Sequence, residues 1–143
     1  MSVTKKQQRE FAVGKKGKEF WADPVWKTIH IFATTLRPGT GQSYKTFLWT
    51  LTDLLPCEVC RKNLKFKLET VPPDPYLSNN HDAFFYSYLL HDLVNEHLNN
   101  EHRTEMGLYE EGYTPKQSPP FDDVKTYYFS SLSQECKECT QTK

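Results

Sequence analysis

The chain has 143 residues, enough for one domain with a modest core. Its 18 Lys and Arg balance 18 Asp and Glu, which gives no reason to expect nucleic acid or an anionic membrane as partner, and no apolar stretch approaches the ~20 residues of a membrane span. Mean hydropathy is −0.71 while aromatics reach 14%, a polar surface around an aromatic-rich interior that either a Phe, Tyr and Trp core or a flat aromatic ligand explains.

Residues 1–18 are basic and polar, with no apolar core of an export signal, and are expected to form a flexible arm. Asp23-Pro24 suits an N-cap followed by the first helical position, and Trp26, Ile29, His30 and Ala33 then share one helical face until Arg37-Pro38-Gly39. A second helix is predicted from near Ser43 to Leu55, with Tyr44, Phe47, Leu48, Leu51 and Leu55 as its stripe. A third follows Pro56 to about Glu69 and buries Leu64 and Leu68. Val71-Pro72-Pro73-Asp74-Pro75 reads as a loop. Asp82 can cap a fourth helix through about Leu98, with Phe85, Leu89 and Leu93 toward the core and Tyr88, His91, Asn95 and Leu98 on a neighbouring face. Residues 99–120 read as a long polar loop, Phe121 to about Leu132 as a short fifth helix, and 133–143 as a polar tail. No segment alternates over strand length. The expected fold is all-α, a four-helix bundle with a short fifth helix, in one domain over residues 19–132.

All four cysteines lie in two CxxC pairs, Cys57-Glu58-Val59-Cys60 and Cys136-Lys137-Glu138-Cys139. Without an export signal, such pairs read as redox or metal sites. Cys57 and Cys60 sit at a helix start, where the helix dipole and free N–H groups favour thiolate, and their spacing brings both sulfurs to one face. Spacing alone leaves two readings open, a dithiol/disulfide switch and half of a zinc site. A thioredoxin-like site would need a preceding strand, and here a helix precedes. His30, one turn after Trp26, and His91 with Asn95, one turn apart beside Tyr88, can each be ligand contacts or satisfied polar groups of a bundle seam.

Together these pieces resemble the Erv/ALR family of flavin-linked sulfhydryl oxidases, over about residues 20–130. Trp26-Lys27-Thr28-Ile29-His30 resembles its W-x-x-x-H helix. Leu55-Pro56-Cys57-Glu58-Val59-Cys60 resembles its aromatic-P-C-x-x-C site, with Leu55 in place of the aromatic. His91-Asp92-Leu93-Val94-Asn95 with Leu98 resembles its H-N-x-V-N-x-x-L helix, with Asp92 for Asn. The family's structural disulfide often begins three residues before that His, where this chain has Tyr88. Its K-P-x-F segment is met only loosely by Lys116 and, after about twenty extra residues, Pro120-Phe121.

The resemblance implies a bundle holding FAD, a homodimer, and electron flow from protein dithiols through Cys57–Cys60 and FAD to oxygen, giving peroxide. Cys60 would be flavin-proximal and Cys57 outward. Trp26, His30, Tyr88, His91, Asp92, Val94, Asn95, Leu98, Lys116, Tyr127 and Tyr128 would form the cofactor pocket, with no metal. Cys136 and Cys139 resemble the shuttle pair that some members carry on a terminal arm. The compact form is similar to members from large DNA viruses, which act in the host cytoplasm and on virion proteins; the mitochondrial intermembrane space is the alternative. A non-enzymatic zinc-binding module using all four cysteines is the competing class, although the 75 residues between the pairs far exceed finger spacing.

Overall fold

The computed structural model describes residues 2–11 and 13–141, with side chains described as far as residue 132. The elements are α1 (Lys5–Glu10), α2 (Lys18–Thr34), α3 (Gly41–Leu54), α4 (Glu58–Thr70), a 3-10 turn (Asp74–Tyr76), α5 (Asn80–Glu101) and α6 (Phe121–Gln141). Among the described residues there is no strand, only an isolated bridge between Arg103 and Tyr109. The all-α architecture is as expected from the sequence. Among the described residues no helix is long and apolar enough to cross a membrane.

Helix α2 packs chiefly on α5, and α3 on α4, with α4 touching α5 and α6 closing over α2. The core joins Ile29 and Ala33 of α2, Tyr44 and Leu48 of α3, Leu64 and Leu68 of α4, and Ala83, Phe84, Tyr86 and Leu90 of α5. Two buried hydroxyls are satisfied by backbone carbonyls: Tyr44 donates to Ile29 at 3.0 Å and Tyr86 to Val71 at 2.6 Å. Gly41 opens α3 where only glycine fits, since a Cβ there would collide with the Leu77 carbonyl oxygen.

Several expectations are corrected. Helix α2 begins at Lys18 and not at Asp23, and Pro24 lies inside it. Pro24 and Phe20 are both exposed, so the Phe20 carbonyl that Pro24 leaves without a helical donor can be hydrated. The cap of α5 is Asn79, whose side chain accepts from the Asp82 N–H at 2.9 Å; Asp82 is the capped residue. The face of α5 that enters the core carries Ala83, Phe84, Ser87 and Leu90, while Phe85 is 42% exposed and Leu89 and Leu93 are only half-buried. Small Ala83 and Ser87 are fully buried and let α5 approach its neighbours closely, which a count of large apolar residues overlooks. Residues Asp74–Tyr76 close into a 3-10 turn that accommodates Pro75. Residues 1–18, expected as an unstructured arm, include the helix Lys5–Glu10, which is capped by Thr4 and buries none of its side chains. The last helix is not short and runs on to Gln141.

Candidate functional site

The chain leaves α3 at buried Leu55, turns at Pro56 and re-enters helix at Glu58 with Cys57 as N-cap. Arg61 donates to the Leu55 carbonyl at 2.6 Å and holds this turn. The Cys57 sulfur accepts the Cys60 N–H at 3.2 Å, doing for α4 what a serine oxygen does at other helix starts. Both cysteines are free thiols and partly exposed. Cys57 is pulled below the ordinary thiol range, first by the Cys60 thiol and then by the Cys60 N–H. Cys60 is pushed up by burial and then by its bond to Cys57, opposed by the Lys18 ammonium. The first thiolate of the reduced pair therefore resides on Cys57.

Cys60 and not Cys57 lines a large cleft between α2, α4 and α5, with an open volume of about 1020 Å³ including its mouth. Its walls are mostly apolar: Trp21, Val25, Trp26 and Ile29 from α2, Leu51 and Leu55 from the α3 end, and Val94 and Leu98 from α5. Three ammonium groups, those of Lys18, Lys67 and Lys116, stand on this lining. Glu19 and Asp23 stand on the same lining, and a mostly apolar cleft with flat rings and three ammonium groups against two carboxylates suits an aromatic ligand.

One wall is a stack. The Trp26 and His91 rings lie 3.9 Å apart and 5° from parallel. Behind them His30 is buried, with Nδ1 2.8 Å from Ser87 Oγ and Nε2 3.0 Å from His91 Nδ1. Ser87 spends its one proton on the Phe84 carbonyl at 2.7 Å, so it accepts from His30 Nδ1. His30 Nε2 is then the acceptor for His91 Nδ1–H, and His91 is left with an acceptor at Nε2. Both rings are neutral near pH 7: burial, followed by the neighbouring His91, lowers His30 to about 3, and burial, followed by Lys116, lowers His91 to about 4.

Of the residues singled out from the sequence, Trp26, Cys60, His91, Val94, Asn95, Leu98 and Lys116 line the cleft. His30, Tyr88 and Tyr128 line a second cavity, which shares Asp23, Trp26, His91 and Asn95 with the first. Two others line neither cavity. Asp92 accepts from Ser118 at 2.6 Å, because its position on α5 turns it toward the returning loop. Tyr127 is 63% exposed and packs edge-on against Tyr128, which takes the inward position. The side chains of Cys136 and Cys139 lie outside the described residues.

The sequence reading missed Lys18, Asn63 and Lys67. The last two had a signal: with Cys60 and Leu64 they fall at i, i+3, i+4 and i+7 on α4, so the face that carries Cys60 necessarily presents them. Lys18 was hidden by placing the helix start too late. Among the described residues no group of three or more His, Cys, Asp or Glu side chains is placed to hold a metal ion.

Compared with known proteins, the chain matches the family model described as the Erv1 / Alr family over residues 23–118. No curated protein and no solved structure matches it.

Proposed function

This chain belongs to the Erv1/Alr family, and on that premise we propose that it is a FAD-dependent thiol oxidase that makes disulfides in protein dithiols at Cys57–Cys60 and passes the electrons to oxygen, giving peroxide. Members of the family are typically sulfhydryl oxidases and bind FAD. The observation that carries the reading is the position of Cys60 on the wall of a ring-lined cleft while Cys57 stays outside it. The donor set fits the cofactor: Trp26 and His91 offer a flat platform, the apolar walls suit a fused ring system, and Lys67 and Lys116 offset a diphosphate.

When bound, FAD supplies a two-electron path from a dithiol to oxygen. The chain's own part is thiol–disulfide exchange. A substrate thiolate attacks Cys57 Sγ of the Cys57–Cys60 disulfide, that S–S bond breaks, and Cys60 leaves as thiolate. The second substrate thiolate attacks the substrate sulfur of the mixed disulfide and expels Cys57 as thiolate. The substrate has lost two electrons and the enzyme pair has gained them. The exposed cysteine meets the bulky partner; the recessed one faces the cleft. A homodimer, and Cys136 with Cys139 as a shuttle pair, belong to the same proposal.

The test combines colour and turnover. Purified protein should carry flavin absorbance and consume oxygen with a small dithiol, and Cys60→Ser should keep the flavin and lose the turnover. A colourless protein that takes up zinc in place of FAD, or undiminished oxygen uptake in Cys60→Ser, would overturn the proposal.

A further inference from the structure

Lys18 stands outside residues 23–118, the part of the chain that the family pattern describes, yet it shares the cleft wall with Cys60. Its position is built. Gly17 precedes it at φ +68° and ψ −149°, a conformation open in practice only to glycine, and so turns the chain directly into α2. The Phe20 N–H returns to the Gly17 carbonyl at 3.1 Å and closes the first turn. Upstream, Lys15 reaches Asp23 at 3.0 Å and ties the approaching segment to the helix. That contact also compensates Asp23, a carboxylate of the same lining that would otherwise compete for the Lys18 ammonium.

We propose that Lys18 is the charge-compensating residue of the dithiol: its ammonium, on the same cleft wall, offsets part of the cost of a thiolate at Cys60, and so assists Cys60 as the leaving group when a substrate thiolate attacks Cys57. The inference rests on the reading of Cys57–Cys60 as the exchanging pair. The need follows from burial. Cys60 is the more enclosed sulfur, and enclosure alone opposes a thiolate there. Lys18 lines the same cleft as Cys60, and its positive charge acts on both sulfurs in the opposite sense, favouring the thiolate. Other charged or titratable groups face the same cleft: Glu19 from α2, Lys67 from α4, His91 and His97 from α5, and Lys116 from the loop beyond α5. His91 is neutral near pH 7.

The test reads the thiolate directly. The full chain is reduced under anaerobic conditions, and alkylation of Cys60 by iodoacetamide is followed across pH by mass spectrometry after cleavage behind Glu58, which places Cys60 on a different peptide from Cys57. In Lys18→Gln and in the near-isosteric Lys18→Met, the pH midpoint of Cys60 alkylation should move upward and its rate near neutrality should fall several-fold; Lys18→Arg should restore both. Flavin content is measured on the same samples. An unchanged Cys60 midpoint in Gln and Met overturns the inference, and so does a loss of flavin with no change at Cys60, which would make Lys18 a cofactor contact only. Because alkylation needs no oxidase turnover, a chain that shows the shift but never consumes oxygen would fail the proposed function and leave this inference standing.

Discussion

His91 donates from Nδ1 to Nε2 of His30 across 3.0 Å, and this bond makes a cleft-wall residue the outer end of a buried polar chain that finishes at Ser87 and the Phe84 carbonyl. The chain works only with both rings neutral, because a second proton on either would bring two N–H groups face to face or strand a charge in the core. Folded values of about 3 for His30 and about 4 for His91 lie below the unfolded value of 6.5, so below that value the unfolded chain binds more protons than the folded one. Stability is therefore full above about pH 6.5 and falls as pH drops toward the folded values, by up to about 1.4 kcal/mol per pH unit for each histidine. Urea unfolding at about pH 7 and about pH 5 measures this. An equal midpoint at the two pH values would contradict the neutral chain, and His91→Gln should flatten the profile.

Cys57 has two duties that substitution can separate. As N-cap its sulfur accepts the Cys60 N–H at 3.2 Å, and serine does the same with oxygen. Cys57→Ser should abolish dithiol oxidation while leaving the unfolding midpoint close to that of the parent. Cys57→Ala should be equally inactive and less stable by about 1 kcal/mol. If both variants unfold alike, the sulfur contributes nothing as a cap.

The sequence shows the turn before α4 most clearly, because Leu55, Pro56, Cys57 and Cys60 define their own geometry: a buried anchor, a helix break, a cap and an inward residue one turn on. The pattern at Trp26 and His30 was equally legible, since i and i+4 must share a face. Periodicity fails where apolar residues run together. Phe84, Phe85 and Tyr86 allow more than one core face, and the choice is made by small Ala83 and Ser87, which signal nothing by hydropathy. Pro24 misplaced a helix start because its exposure, which makes it tolerable, is a tertiary fact. The destination of residues 102–120 could not be read at all, because it is decided by side chains on α5 that look like ordinary polar positions.

The proposed shuttle role of the second CxxC is open to a direct test. Helix α6 carries the backbone from Phe121 to Gln141 and so includes positions 136–139. If this pair shuttles electrons, it raises the local concentration of a dithiol competent to reduce Cys57–Cys60. Replacing Cys136 and Cys139 by Ser should then slow oxidation of a protein dithiol and largely spare a small one, which reaches the half-exposed Cys57 unaided. Equal rates on the protein substrate with and without the pair would show that they take no part.

The loop beyond α5 is sewn to that helix by a single stripe of residues, Tyr88, Asp92, Asn95 and Asn99, spaced as one helical face. Tyr88 donates to the Pro119 carbonyl at 2.5 Å. Asp92 accepts from Ser118, and Asn95 donates to the same hydroxyl at 3.2 Å. Asn99 does most: its Oδ1 accepts from the Tyr113 hydroxyl at 2.6 Å and from the Lys116 N–H at 2.8 Å, and its Nδ2 donates to the Lys116 carbonyl at 2.8 Å. Lys116 is thus gripped on both sides of its own backbone and held over the cleft, although Asn99 does not itself line it. Asn99→Ala should cost about 1–3 kcal/mol of stability through the partners it strands, and it should also weaken FAD binding by releasing Lys116. The second effect separates a positioning role from a merely structural one. Lys116→Ala should weaken FAD binding directly, more at low salt than at high salt, and the double variant should bind FAD no worse than Lys116→Ala alone, because Asn99 acts only through Lys116. Flavin titration of the three variants at two salt concentrations decides it. Additive losses in the double variant, or full FAD affinity in Asn99→Ala, would show that the loop does not position Lys116 for the cofactor.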